Sequence, residues 1–258
     1  MMKSFFRNLL RLTGFDIVRF NKKSLEKGSQ YRPTGRMDFL LQDLKARGLK
    51  CKDILDVGAN NGDWSRMASE IFPGSIFYLI EPQQEMEASL SDFCQKHPGS
   101  SYFLAGAGSK KEKLFLTLWE DLSGSSFLPE KDDKLLERGK QREVPVLRID
   151  DLIASGQMKM PELIKLDIQG FELEALKGAE STFGKTEVYI LEVSLYNYNI
   201  NCLPEFSDVI SFMRERNYVV YDFPGFLRRP VDGALGQCDI CFVKKEGFLR
   251  LARSWNEI

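Results

Sequence analysis

The sequence predicts an α/β fold: a seven-stranded, mostly parallel sheet with a terminal antiparallel strand, plus an inserted antiparallel strand pair. Three observations predict it. Apolar runs of strand length alternate with segments whose apolar residues recur at helical spacing, the pattern of a parallel sheet covered by helices. The last two apolar runs, Tyr218 to Phe223 and Cys238 to Val243, are joined by a segment without helical periodicity and read as a hairpin. Between residues 109 and 150 the alternation breaks. There Lys113 to Trp119 and Arg142 to Ile149 carry the two-residue period of strands, separated by the polar loop Ser123-Gly124-Ser125-Ser126.

The remaining elements follow in order. A helix from Gly35 to Gly48 places Met37, Leu40, Leu41 and Leu44 on one face and leads into the strand Asp53 to Val57. A helix from Asp63 to Phe72 ends at Pro73-Gly74, the strand Ser75 to Ile80 follows, and Pro82 opens a helix reaching His97-Pro98-Gly99. The strand Ser101 to Ala105 ends in Gly106-Ala107-Gly108-Ser109, read as a sharp turn. After the insert come a helix from Asp150 to Ser155, the strand Leu163 to Ile168, a helix from Glu172 to Phe183, the strand Glu187 to Val193 and a helix from Pro204 to Arg216.

A chain of 258 residues, 43% hydrophobic, can bury one full core, so residues 35–258 read as one domain behind an arm formed by residues 1–34. The formal net charge is −1, which gives no global field to gather nucleic acid, and nucleic acid is not expected as a partner. The arm differs: residues 1–30 hold seven basic side chains against two acidic ones, a net of +5. Met2, Phe5, Phe6, Leu9, Leu10 and Leu12 recur there at helical spacing opposite Lys3, Arg7 and Arg11, a basic amphipathic helix. Two readings stay open: the arm docks on the domain or on a second subunit of a homodimer, or it lies on an anionic membrane surface. Arg7 and Arg11 interrupt the apolar run too early for a signal peptide, so a cytoplasmic location is expected. Five cysteines, an odd number, then read as reduced thiols. Cys238-x-x-Cys241 has metal-ligand spacing, but no second cysteine pair exists and His97 is the sole histidine, so packing is the expected role and no metal is expected.

The chemistry concentrates in Ile54 to Ser65 and Ile76 to Pro82. An apolar strand enters a loop with Gly58 and Gly62, a helix begins, and a second apolar strand ends in Glu81, the layout of a nucleoside-cofactor site. Glu81 can accept hydrogen bonds from both hydroxyls of a ribose. A pyrophosphate cradle wants Gly-x-Gly-x-x-Gly, yet Asn60 stands two residues after Gly58, and acidic Asp56 before the loop suits a cationic ligand such as S-adenosylmethionine. The expected strand ends bring Asp56, Glu81, Ala107, Asp167 and Glu192 to one crevice.

Three ordered blocks resemble the FkbM family of S-adenosylmethionine-dependent methyltransferases. They are Asp56-Val57-Gly58-Ala59-Asn60-Asn61-Gly62 with Glu81-Pro82; Leu163-Ile164-Lys165-Leu166-Asp167-Ile168-Gln169-Gly170-Phe171-Glu172 with Ile190-Leu191-Glu192-Val193; and Gln237-Cys238-Asp239-Ile240-Cys241-Phe242-Val243. Gln169 stands where many members carry Glu and is given no catalytic duty. The resemblance implies a class I methyltransferase (Rossmann-like) fold and methyl transfer, typically to a hydroxyl of a sugar, glycan or polyketide-type small molecule, as in members that accompany glycan biosynthesis. By it, Glu81 holds the ribose diol, Gly58, Asn60, Asn61, Gly62 and Pro82 line the cofactor, Asp56 orients its amino acid end, Ala107 lies near the adenine, and Asp167 sits near the sulfonium and the acceptor.

With His97 at a helix end, a carboxylate must serve as any base, with Asp167 the first candidate and Glu192 the second. Lys165 reads as structural, and Glu172 as a helix-opening acid. Acceptor contacts are expected from the insert and the late loops: Trp119, Ser125, Tyr196 and Arg229 first, with Ser126, Asn197, Tyr198, Asn199, Phe226 and Arg228 beside them. Two other classes share part of this pattern. A nicotinamide-dependent oxidoreductase would use Glu81 in the same way but lacks its third glycine, and a non-catalytic S-adenosylmethionine-binding scaffold would share the whole pocket.

Overall fold

The computed structural model describes residues 32–119, 122, 124–127, 132–196 and 204–252. The basic arm, Cys202 and the candidates Asn197, Tyr198 and Asn199 lie outside the described residues. Strands β1 (Asp53–Val57), β2 (Ile76–Ile80), β3 (Ser101–Phe103), β7 (Leu163–Leu166), β8 (Val188–Ser194), β9 (Tyr218–Arg228) and β10 (Leu235–Lys244) form one sheet, in the order β3-β2-β1-β7-β8-β10-β9. β1 pairs in parallel with β2 and β7, and β7 with β8, while β10 runs antiparallel to both β8 and β9. The terminal antiparallel strand is therefore seated one place inside the edge, and β9 is the edge strand.

β9 reaches five residues past the expected end at Phe223. An edge strand tolerates Pro224, because no neighbour needs its missing N–H. The pairing shifts register just there, and Gly225 makes room for the Asp239 carboxylate: a Cβ at Gly225 would stand 1.9 Å from its Oδ2.

Helices cover both faces. Helices α1 (Met37–Ala46), α2 (Asp63–Ile71) and α3 (Glu87–Lys96) pack Leu40, Leu41, Leu44, Ala68, Leu90 and Phe93 against Ile54, Phe77, Leu79 and Ile190 on one face. In the part of the chain that follows, α4 (Asp133–Glu137) is a single turn in the insert. Helices α5 (Ile149–Ala154), α6 (Glu172–Lys177) and α7 (Phe206–Glu215) pack Leu152, Leu176, Val209 and Met213 against Leu55, Ile164, Leu166 and Leu191 on the other face. Each central strand feeds alternate residues to the two cores, as a two-residue period requires. The same alternation sends Cys238 to one core and Cys241 to the other. The two thiols of that motif cannot share a metal, whatever their spacing.

Two expected helices are shorter in the structure. The one after Pro82 begins with a 3-10 turn, Gln84–Met86, and the N–H of Gln83 ahead of it goes to the Glu81 side chain. The one from Glu172 stops at Lys177, and a separate 3-10 turn covers Glu180–Thr182. Gly178 packs so close to the insert that a Cβ would stand 2.0 Å from the Gly108 carbonyl oxygen.

The insert is a three-stranded sheet, ordered β4-β6-β5, and not a strand pair alone. β5 (Glu112–Thr117) and β6 (Gln141–Leu147) are the expected antiparallel partners. The segment read as a sharp turn supplies β4 (Gly106–Ala107), parallel to Val146–Leu147 of β6. Two residues cannot show a strand period, so nothing in their pattern marks them. The polar loop of the insert is also tied down: Ser126 bridges backbone to backbone with Thr117. Among the described residues no helix is long and apolar enough to cross a membrane.

Candidate active site

The carboxyl ends of β1, β2, β7 and β8 and the amino end of β10 open onto a cavity of about 650 Å³. It lies where the order of the sheet reverses between β1 and β7, the place at which open α/β sheets bind ligands. Its volume is in the range of small-molecule sites.

One wall is built by the loop after β1. Gly58 has φ +76, and a Cβ there would stand 1.9 Å from the Asp167 carbonyl oxygen. Its glycine is thus required by the contact between two strand-end loops. The N–H groups of Gly58 and Ala59 both donate to the Ile80 carbonyl, at 2.9 and 3.2 Å, which ties the loop to the end of β2. Asn60, at φ 47, directs its N–H to Glu81 Oε2 at 2.8 Å. Asn61 holds the start of α2, accepting from the Asp63 N–H at 3.1 Å and donating to Asp63 Oδ2 at 2.9 Å. Gly62 is the left-handed residue that starts this helix and does not line the cavity.

Glu81 ends β2 and is only 2% exposed, facing the cavity. Besides Asn60, it accepts from the Gln83 N–H at 2.9 Å and from Gln83 Nε2 at 3.1 Å, both on Oε1. Burial raises this carboxyl above its ordinary value, against the pull of these three hydrogen bonds. Gln83 in turn accepts from Ser125 of the insert, Oγ to Oε1 at 3.1 Å. Pro82, Ala107, Ile80, Leu116 and Phe127 complete an apolar stretch of wall beside Glu81.

Beneath the opposite wall lies a cluster of buried charge. Asp56 and Lys165 are register partners on β1 and β7, on the same face of the sheet. Lys165 Nζ stands 3.7 Å from Asp56 Oδ1 and 3.1 Å from Asp167 Oδ2. Burial alone would lower the lysine, but Asp167 and Asp56 outweigh it and hold the ammonium above its ordinary value. Asp56 is fully buried, with Oδ2 accepting from Ser65 Oγ at 2.7 Å, and burial raises it. It does not line the cavity, which corrects its expected place against the cofactor's amino acid end. Its strand faces it into α2, one layer below the loop.

Asp167 does line the cavity and keeps 32% of its side-chain exposure there. Burial works to raise its carboxyl, yet Lys165 and hydrogen bonds from Glu192, Lys165 and Gln169 hold it below its ordinary value. Glu192 goes the other way: burial, then the charge of Asp167, push it up. The two carboxyls are thereby driven apart, Asp167 towards the ionised form and Glu192 towards the protonated one. Glu192 also lines the cavity. Asp239, opposite Glu192 on β10, is raised to about 6 by burial and by Asp167. Glu172, raised to about 7 by burial, clamps the turn before α6 by accepting from the N–H groups of Ile168 and Gly170, both at 3.1 Å.

Gln169 has φ 54 and spans the two carboxylates, donating Nε2 to Asp167 Oδ1 at 3.2 Å and to Glu192 Oε2 at 2.8 Å. Gln237 donates to Glu192 Oε2 at 3.1 Å and to Gln169 Oε1 at 3.3 Å. Lys165, Gln169, Gln83 and Gln237 were all missed as site residues by sequence reasoning. A lysine between Ile164 and Leu166 in a strand buried on both faces was the signal for the first. The Gln237 bridge has no local signal.

Of the four leading acceptor candidates only Ser125 reaches the cavity. Trp119 is 43% exposed outside it, and Arg229 lies over the Tyr196 ring at 4.5 Å, with Asp232 at 3.5 Å, also outside it. Leu227, 58% exposed, occupies the lip instead, carried there by the unexpected length of β9. His97 caps α3, bonded to the Phe93 carbonyl and stacked on the Phe93 ring, away from the cavity.

A central sheet of this order, helices on both faces, the antiparallel strand next to the edge and an acid at the end of β2 define a class I methyltransferase fold. The chain belongs to the methyltransferase FkbM domain family, whose sequence model matches residues 56–220, well over half of its length. It is similar to Methyltransferase 1 of Beauveria bassiana (strain ARSEF 2860), 24% identical over 144 residues that cover 49% of this chain and 58% of that protein, so the match spans less than two thirds of that relative. Among solved structures, methyltransferase FkbM from Methylobacillus flagellatus KT is 16% identical with a TM-score of 0.46, covering 92% of this chain and 70% of that one. Aeropyrum pernix fibrillarin with bound S-adenosyl-L-methionine is 11% identical with a TM-score of 0.42, covering 73% and 66%. These likenesses are distant, and the fold assignment rests on the strand order.

The residues present fit an S-adenosylmethionine-type cofactor. A carboxylate with a lone pair open to the cavity stands beside an apolar stretch, and an ionised carboxylate stands across from it, which match a diol, a purine face and a cationic centre.

Proposed function

We propose that the protein transfers a methyl group from S-adenosylmethionine to a hydroxyl of a small polyhydroxylated acceptor, a sugar, glycan or polyketide-type molecule. The observation that carries this reading is the Asp167 carboxylate at the cavity wall, held there by Lys165 at 3.1 Å and Gln169 at 3.2 Å. When bound, the cofactor supplies an electrophilic methyl group on a sulfonium. Glu81 would hold its ribose, and Pro82 and Ala107 would flank its base. Asp167 accepts a hydrogen bond from the acceptor hydroxyl, which aligns its oxygen for in-line displacement. As the carbon–oxygen bond forms and the carbon–sulfur bond breaks, the hydroxyl proton becomes acidic enough for a weak base to take it. A depressed carboxylate suffices for that step. The amides of Gln169 and Gln237 and the hydroxyl of Ser126, linked to Asp167 through Gln169, suit hydroxyl groups rather than an apolar acceptor.

The test is methyl transfer from isotopically labelled S-adenosylmethionine to a panel of sugars and hydroxylated small molecules, with amines as controls. Incorporation into hydroxyl acceptors that falls about 100-fold in Asp167→Asn, with affinity for S-adenosylhomocysteine, which carries no sulfonium, kept within about threefold, is expected. Transfer to amines alone, or full activity in the variant, would contradict the assignment.

A further inference from the structure

The hydrogen bonds around Glu81 leave less room for a ribose than its position at the end of β2 promises. An ionised carboxylate offers about four lone-pair sites. Three are filled, by Asn60 N–H on Oε2 and by Gln83 N–H and Gln83 Nε2 on Oε1. Among the described residues one site, on Oε2, stays open. A diol that brings both hydroxyls to Glu81 needs two. The two backbone donors are fixed by the loop and by the turn after β2, so the donor that can yield is the Gln83 side chain, at 3.1 Å the longest of the three. That amide is itself held from the other side by Ser125 Oγ, 42 residues further along the chain.

We propose that Gln83 is a specificity-determining residue of the cofactor site: its side-chain amide occupies the place on Glu81 that the second hydroxyl of a ribose needs, and Ser125 of the insert latches it there. The proposal rests on the reading of Glu81 as the ribose acid. Binding of a diol displaces the amide and loosens the latch, so the apparent affinity is reduced by the cost of breaking those bonds. A ligand with no ribose hydroxyls leaves Gln83 in place and does not incur that cost. The insert, which supplies Ser125 and Ser126 to the cavity, is thereby coupled to cofactor occupancy through one side-chain contact.

Calorimetric titration with S-adenosylhomocysteine and its 2′,3′-dideoxy analogue tests this. Gln83→Met keeps the length of the side chain and removes the donor, and is expected to bind S-adenosylhomocysteine up to about tenfold more tightly than the native chain, with affinity for the dideoxy analogue unchanged. Ser125→Ala is expected to gain a smaller factor, about threefold, and the double variant to match Gln83→Met alone, because the latch acts only through that amide. Equal or weaker binding of S-adenosylhomocysteine by Gln83→Met overturns the proposal, as does a gain shared by the dideoxy analogue or additive effects in the double variant. Thermal unfolding of each ligand-free variant at the native temperature separates these outcomes from misfolding, and Ser125→Thr, which keeps the hydroxyl, restores native affinity. No binding of S-adenosylhomocysteine by the native chain would instead overturn the cofactor reading itself, a result distinct from binding that Gln83→Met leaves unmoved.

Discussion

Glu81 and Glu192 are both strand-end acids on the same cavity, and they are held in opposite ways. Glu81 is fixed by two backbone N–H groups, from Asn60 and Gln83, both inside the stretch from β1 to the turn after β2. Glu192 is fixed by the side-chain amides of Gln169 and Gln237, which approach it from 23 and 45 residues away. The first arrangement is held by backbone groups and leaves no room for a side chain, since a Cβ at Gly58 would stand 1.9 Å from the Asp167 carbonyl oxygen. The second is a network of exchangeable side chains around two carboxyls whose proton affinities are driven apart. A fold that keeps one wall constant and builds the other from replaceable contacts can retain its cofactor while its acceptor changes.

The largest effect expected from this contrast is at Gly58. Gly58→Ala forces a Cβ into the Asp167 carbonyl at a positive φ and should cost about 2–4 kcal/mol, read as a drop of roughly 5–15 °C in the unfolding temperature. A drop under 2 °C would mean the cofactor wall is as adaptable as the other. A middle-sized effect is expected at Glu172. Its carboxyl is raised from 4.5 to about 7, so the folded chain binds this proton more tightly than the unfolded chain. Its contribution is therefore fully present below about pH 4.5 and is lost as pH rises to about 7. Glu172→Gln keeps an oxygen for the Ile168 and Gly170 N–H groups and cannot ionise. The variant should gain stability relative to the native chain by up to about 3 kcal/mol between pH 4.5 and 7, measured by chemical denaturation at both ends. A constant difference would show that Glu172 ionises freely. The smallest effect is expected outside the cavity: Trp119→Ala and Arg229→Ala should leave cofactor binding and the acceptor's KM within about twofold, and a tenfold rise in KM would return both to the acceptor wall.

The same contrast decides what could be read from the chain. Asp53–Val57 came out at its expected bounds, and the β2 acid fell where its spacing put it, because β2 is a continuous apolar run, Ile76-Phe77-Tyr78-Leu79-Ile80, whose end is marked by the first charge. Gly58, Asn60, Asn61, Glu81 and Pro82 reach the cavity for the same local reason. Ala107 also reaches it, though as part of a strand and not a turn. The other wall depends on contacts that sequence spacing does not encode. Exposed aromatic and basic residues such as Trp119, Tyr196 and Arg229 were natural acceptor candidates, but whether they face the cavity depends on where β9 ends and how the insert folds back. Lys165 was legible as an anomaly and was read as structural. It is structural in pairing with Asp56, and it is also part of the cavity wall through Asp167. Gln169 shows the cost of judging a residue by type alone, since an amide that bridges two carboxylates has a place an acid could not fill with the same hydrogen bonds.

The most direct measurement is calorimetric titration of S-adenosylmethionine into the native chain and Glu81→Ala at the same pH. Micromolar binding by the native chain, weakened about 100-fold in the variant while its unfolding temperature stays within a few degrees, is the predicted result. Equal affinity in the two proteins would contradict the assignment of Glu81 as the ribose acid and, with it, of the cavity as the cofactor site.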